Sequence, residues 1–320
     1  MLVTGAGGFI GSHLSEILAE SGAQVRAFVH YNAQGTRGWL ERSEFGEQIE
    51  FFSGDICDRD SVNRAVNGME YVFHLAALIA IPYSYQVPQS FVRTNIEGTL
   101  NVLMAARKSG VTRVIHTSTS EVYGSANYIP IDEKHPLQGQ SPYSASKIGS
   151  DKMVEAFNLS FELPVVTVRP FNTYGPRQSS RAIIPTIITQ CLKEKRVMLG
   201  NLQPTRDMTF ISDTVDGFMA AAMAPESVGK TVNLGSGAEI SIGDLAAMIC
   251  ELIGESVEIK VENKRVRPEG SEVDRLCADN SLARTILNWE PKVSLKDGLT
   301  RTISWVKENL ALYRADEYVI

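Results

Sequence analysis

The chain has 320 residues, 43% of them hydrophobic and 21% charged, with a net charge of −6. That length supports one large domain or two smaller ones around a full core. The mildly acidic balance argues against a nucleic-acid partner, which calls for a concentrated basic face. Four cysteines (Cys57, Cys191, Cys250 and Cys277) lack paired metal spacing; no metal is expected, and they read as small core residues of a reducing compartment. No run reaches the apolar length of a membrane span, and the chain opens directly on MLVTGAGGFIG, so a cytoplasmic protein without a signal peptide or membrane anchor is expected.

Leu2–Thr4 reads as a short apolar strand, and Ile10, Leu14, Ile17 and Leu18 recur at helical spacing up to a stop at Gly22. Further strands are predicted at 24–29, 49–53, 71–75, 113–117 and 165–169, separated by helices over 60–67, 90–109 and 143–161. Strands alternating with amphipathic helices imply a parallel sheet covered on both faces, an α/β, Rossmann-type doubly wound fold. Beyond Arg169 the order loosens: a helix near 182–195, a strand at 231–234 and a helix near 241–253 predict a smaller α/β C-terminal lobe. The expected division is a dinucleotide-binding domain over 1–169 and a substrate lobe over 170–320, with the helix after Asp213 packing back on the first domain.

TGAGGFIG, residues 4–11, joins the first strand to the first helix and places glycines at 5, 8 and 11. Such a turn lets backbone amides approach a pyrophosphate, and the helix N-terminus favours its charge. Gly5, Gly8, Phe9, Ile10 and Gly11 are therefore expected to hold a dinucleotide. Asp55 and Ile56 of GDI and Leu75, Ala76 and Ala77 of HLAA supply a second set of contacts. An acid usually ends the second strand where NAD is preferred; here His30, Tyr31 and Asn32 stand instead. NAD is the expected cofactor, with NADP left open.

YSASK puts Tyr143 and Lys147 four residues apart at a helix start, on one face. An ammonium near a phenol favours the phenolate, which can take a proton from an alcohol. The pair is short enough to arise by chance, but it lies downstream of the glycine turn and of a strand that runs out into HTSTSEVYGS, residues 116–125.

TGAGGFIG, HLAA, TNIEGTLNVL (94–103), STSEVYG (118–124), YSASK and RPFNTYGP (169–176) together resemble the extended short-chain dehydrogenase/reductase superfamily, over essentially the whole chain. The resemblance implies that Thr119 hydrogen-bonds the reacting sugar hydroxyl, that Pro170 borders the cofactor and that Asn95 is structural. Thr119-Ser120-Glu121 resembles the Thr-Ser-Glu triplet of nucleotide-sugar 4,6-dehydratases, among them the GDP-mannose dehydratases. Oxidation at C4 acidifies the C5 proton, which a carboxylate such as Glu121 can remove while the C6 hydroxyl leaves. Where related enzymes carry an aspartate for that leaving group, this chain has Ser120. Sugar C4-epimerases and UDP-glucuronate decarboxylases are rival members of the superfamily, and an NAD(P)-sensing binding protein is the rival outside enzymes.

Family positions further imply that Asn172, Arg206 and Arg267 contact a nucleoside diphosphate, a task suited to the planar guanidinium fork. Arg177 is a weaker candidate. YNAQGTRGWL (31–40) resembles dehydratases of the bacterial legionaminic-acid branch, which implies GDP-N-acetylglucosamine first, with UDP-N-acetylglucosamine and GDP-mannose behind it. Family members commonly dimerise through the helices carrying 95–108 and 144–158, so a homodimer is expected.

Overall fold

The computed structural model describes residues 1–255 and 257–313. In its first half, β1 (Leu2–Thr4), α1 (Phe9–Glu20), β2 (Val25–His30), β3 (Ile49–Gly54), α2 (Arg59–Val66) and β4 (Tyr71–His74) alternate as the hydrophobic periods require. Then come α3 (Ile81–Gln86), α4 (Pro88–Phe91), α5 (Gly98–Ser109), β5 (Arg113–Thr117), α6 (Pro142–Phe161) and β6 (Val165–Pro170). The remainder contains β7 (Asn172–Tyr174), α7 (Ile183–Glu194), β8 (Arg196–Leu199), β9 (Thr205–Phe210), α8 (Ile211–Met223) and β10 (Thr231–Leu234). It closes with β11 (Glu239–Ser241), α9 (Ile242–Ile253), β12 (Glu258–Val261), α10 (Ser281–Leu287) and α11 (Leu295–Glu308). No helix among the described residues is long and apolar enough to cross a membrane.

Seven strands form one parallel sheet in the order β3-β2-β1-β4-β5-β6-β10. Both faces are covered. α2, α5 and α6 bury Val62, Val102 and Val154 against Leu2, Val72 and Val114 on one side. α1 and α8 bury Leu14, Leu18, Val215 and Phe218 against Val3, Phe73 and Ile115 on the other. The order reverses between β1 and β4, so their following loops part in opposite directions and open a crevice at the carboxyl edge. α8 packs on β5 and β6. The strand at 231–234 does not belong to a separate lobe: as β10 it pairs with β6 and completes the main sheet. Its fully buried Val232 and Leu234 suit a strand covered on both faces, which explains why local sequence could not assign it to either unit.

The predicted helix over 90–109 is also interrupted. Val92–Glu97 forms a turn of π-helix between α4 and α5. There Asn95 accepts from the Leu78 amide (2.9 Å) and donates to the Leu78 carbonyl (2.9 Å) and to Ser146 on α6 (2.9 Å). This one side chain ties the loop after β4 to the helix that carries Tyr143.

Two smaller sheets, β11-β9-β7 and β12-β8, lie beyond the main one, and α11 packs on β9 through Gly298. A Cβ at that glycine would stand 2.1 Å from the Tyr174 hydroxyl and 2.8 Å from Phe210. Gly298→Ala gains helix propensity of about 1 kcal/mol, yet overpacking of about 1–3 kcal/mol should leave the variant less stable in denaturant unfolding. Adding Tyr174→Phe, which removes the nearest atom, should recover part of the loss; an additive double variant would place the strain elsewhere.

Candidate active site

Backbone geometry builds the glycine turn. Gly5 has φ +68° and approaches the next loop so closely that a Cβ would meet the Ala76 nitrogen at 2.9 Å. A Cβ on Gly11 would stand 2.3 Å from the Gly5 carbonyl oxygen. Gly8 is exposed and caps α1 with its backbone alone, and Phe9 and Ile10 are half-buried beside it. Larger residues at 5 or 11 would fill the space where backbone can approach a phosphate, so the residues present fit a dinucleotide.

The other expected cofactor positions lie at the same carboxyl edge. Asp55 and Ile56 follow β3; the Asp55 carboxylate accepts from the Cys57 amide (2.8 Å), and Ile56 is buried under α5. Leu75, Ala76 and Ala77 follow β4, with the Leu75 and Ala76 amides donating to the Thr4 hydroxyl at 3.1 Å each. Pro170 closes β6 opposite Leu234. At the end of β2, Tyr31 is 70% exposed, while the Asn32 side chain folds its own turn by bonding Gln34, Thr36 and His30 backbone atoms.

Tyr143 is positioned by the start of α6. Ser141 and Ser144 satisfy each other's amides at 3.0 and 3.1 Å, and Pro142 takes the first helical position. Lys147 follows one turn later, buried, and its ammonium donates to the Thr117 carbonyl at 2.6 Å. Burial lowers the Lys147 pKa to about 8, with Asp151 acting in the opposite direction. Burial pushes the Tyr143 phenol up; its hydrogen bond with Thr119 pulls it down, and the charges of Glu121 and Asp151 add to the rise. The structure therefore differs from the simple lysine–phenol pairing: Lys147 is engaged by the β5 carbonyl, and the phenol's bond is with Thr119.

The residues after β5 form a short 3₁₀ turn, Ser120–Tyr123. Thr119 caps it by accepting from the Glu121 amide at 3.2 Å. Ser120 is 2% exposed, whereas Glu121 is half-buried. The Glu121 charge adds to the rise at Tyr143, while burial lowers the Arg206 pKa and Glu121 acts against that lowering. The turn thus leaves the acid half-buried, with its charge felt by both the phenol and Arg206.

Arg206 on β9 is buried and pairs with Glu272 at 3.3 Å, and Arg267 approaches the same Glu272 oxygen at 3.7 Å. Asn172 opens β7 with its Oδ1 buried and without a hydrogen-bond partner. Arg177 is not with this group: it forms a two-pronged ion pair with Glu16 on α1, at 2.7 and 3.2 Å.

Sequence reasoning passed over Asp151 and Glu272. Asp151 had a signal, because Tyr143, Lys147 and Asp151 form one i, i+4, i+8 stripe on α6. Its carboxylate accepts from His116 (3.0 Å), Ser118 (2.6 Å) and Arg169 (2.9 Å). Burial works against that charge, but His116 and Arg169 outweigh it and lower the Asp151 pKa to about 2. Glu272 lies in an acidic run, RPEGSEVDRL (267–276), but only the folded chain brings it to Arg206.

Comparison with known proteins gives a consistent family and mixed reactions. A model of the GDP-mannose 4,6 dehydratase family matches residues 2–302. The chain is 35% identical to a dTDP-glucose 4,6-dehydratase of Streptomyces griseus, covering 95% of this chain and 93% of that protein. It is 32% identical to a UDP-glucose 4-epimerase of Mycolicibacterium smegmatis, over 96% and 98%. A solved dTDP-glucose 4,6-dehydratase from Streptomyces venezuelae, with NAD and TYD bound, superposes with a TM-score of 0.89 at 31% identity, over 98% of each chain.

Gly11→Ala tests the turn. Because the added methyl meets the Gly5 carbonyl, dinucleotide affinity in a fluorescence titration should fall ~10-fold or more, the equivalent of an overpacking penalty of about 1–3 kcal/mol. Undiminished affinity with an intact far-UV spectrum would show that the cofactor does not use this turn.

Proposed function

Since the chain belongs to the GDP-mannose 4,6 dehydratase family, within the extended short-chain dehydrogenases that modify nucleotide sugars, we propose that it is a nucleotide-sugar 4,6-dehydratase using NAD. One observation carries the reading: Glu121 is half-buried on a turn capped by Thr119, the same residue that bonds the Tyr143 phenol. A carboxylate in that place suits removal of a proton from the carbon next to the one Tyr143 serves.

NAD, held by the glycine turn at Gly5, Gly8 and Gly11, would supply the hydride acceptor for C4 and the hydride donor for C6. Thr119 holds the C4 hydroxyl, and Tyr143, as phenolate, takes its proton as C4 becomes a ketone. Lys147, charged, opposes the burial that disfavours that phenolate. Glu121 removes the C5 proton and returns it to the departing C6 hydroxyl, which leaves as water; the proton that Tyr143 took from the C4 hydroxyl is matched by one regained at C5, so that the product is a 4-keto-6-deoxy sugar with no net redox change. With Ser120 buried beside it, Glu121 serves as both base and acid. Asn172, Arg206 and Arg267 bind the diphosphate, and GDP-N-acetylglucosamine is the first substrate, followed by UDP-N-acetylglucosamine and GDP-mannose. Exposed Met104 on α5, Leu159 and Phe161 on α6, and Val92 on the π-turn before α5 support a homodimer through those helices. NADP in place of NAD is favoured by no observation beyond the missing acid after β2.

Product mass spectrometry over GDP-, UDP- and dTDP-sugars tests the reaction. Loss of one water supports it; loss of carbon dioxide from a glucuronate, or unchanged mass with C4 inverted, defeats it. Glu121→Gln should lower turnover by roughly 10²- to 10⁴-fold, the range of general acid–base catalysis, while reduced cofactor still accumulates. Full turnover in that variant would remove Glu121 from the mechanism.

A further inference from the structure

Behind the Tyr143–Lys147 face, α6 carries a buried acid that the proposed chemistry does not use. Asp151 is 5% exposed and lies one helical turn beyond Lys147. Its Oδ1 accepts from His116 Nε2 on β5 at 3.0 Å. Its Oδ2 accepts from Ser118 Oγ at 2.6 Å and from the Arg169 guanidinium on β6 at 2.9 and 3.3 Å. Three attachments from two strand ends converge on this carboxylate. Those strand ends include the segment that presents the Thr117 carbonyl to Lys147 and carries Thr119.

We propose that Asp151 is a positioning residue of the site: it fastens α6 to the ends of β5 and β6, and its charge is the internal counter-ion of Lys147.

The charges around the lysine support the second part. Tyr143 and Asp151 lie on α6, His116 on β5, Arg169 on β6 and His74 on β4. Burial lowers the pKa of both histidines, His74 well below its ordinary value, so neither brings a charge near neutral pH. Arg169 is a cation shared with the Tyr123 hydroxyl at 2.9 Å. Asp151 is the acid of this group: it pairs with Arg169 and lies one helical turn from Lys147, whose charged form it favours. A buried ammonium without such an acid loses its proton at lower pH. The two parts of the role separate experimentally, because Ser118 shares in the fastening and carries no charge.

The test is the titration of Lys147 itself, followed by NMR of the full chain carrying ¹³C-labelled lysine, its signal identified by loss in Lys147→Arg. The wild-type midpoint should lie near 8. Asp151→Asn should lower it by about one unit or more, Asp151→Glu should restore most of the shift, and Ser118→Ala should leave it unchanged. Arg169→Gln, which frees the carboxylate from its other cation, should move the midpoint the opposite way, and this arm stands if Asp151→Asn does not fold. A folded Asp151→Asn with the wild-type midpoint, an equal shift in Ser118→Ala, or no rise in Arg169→Gln would overturn the proposal. The link to turnover rests on the dehydratase reading: in Asp151→Asn the alkaline limb of kcat should move to lower pH with KM little changed. The lysine titration needs no substrate, so a shifted lysine in a protein without dehydratase activity would defeat that reading and keep this one.

Discussion

A parallel sheet sealed on both faces leaves its chemistry one outlet, the carboxyl edge, and everything polar near the middle of this sheet must be satisfied before it gets there. At the reversal between β1 and β4 that requirement is met by one chain of hydrogen bonds. The Thr4 hydroxyl accepts from the Leu75 and Ala76 amides and bonds His74 Nδ1 at 2.9 Å; His74 Nε2 bonds Thr99 at 3.0 Å; Thr99 donates to the Asn95 carbonyl at 2.6 Å. With Thr4 already accepting two bonds, its proton goes to Nδ1, which places the imidazole proton on Nε2. Every member is then paired and neutral, which agrees with the strong burial effect on His74. The chain fixes the loop after β4 against Gly5, whose missing side chain permits the approach. Crevice, glycine turn and β4 loop are thus one construction.

Much of this was legible in the sequence because it follows from local rules. The six early strands repeat with period and spacing that only a covered parallel sheet satisfies, and the glycines at 5, 8 and 11 stand where backbone must approach backbone. Other features depend on distant residues. The π-turn at Val92–Glu97 is imposed by Asn95 reaching back to Leu78, and helical periodicity alone reads through it. The strand at 231–234 is apolar enough for any sheet; only Gly229, Lys230 and the ladder to β6 assign it to the large one. Glu272 looks like one charge in an acidic run until the fold brings Arg206 and Arg267 to it. Asp151 was readable in principle from the stripe on α6, but its meaning comes from His116, Ser118 and Arg169, on two other elements.

Two acids of the same type, Glu121 and Glu272, act on the same arginine with different partners, and the difference bears on which can do chemistry. Glu272 is taken up directly by Arg206 and Arg267. Each of those contacts takes up a lone pair of the carboxylate and fixes its direction. Glu121 influences Arg206 through charge, and its backbone, not its carboxylate, is what Thr119 holds. Among the described residues its oxygens have no hydrogen bond or ion pair, and they extend from the turn whose cap, Thr119, also bonds the Tyr143 phenol. In the proposed reaction a proton must leave C5 at the moment C4 has become a ketone, and a base reserved in this way, next to the phenol and apart from the arginine-bound acid, is what that timing requires.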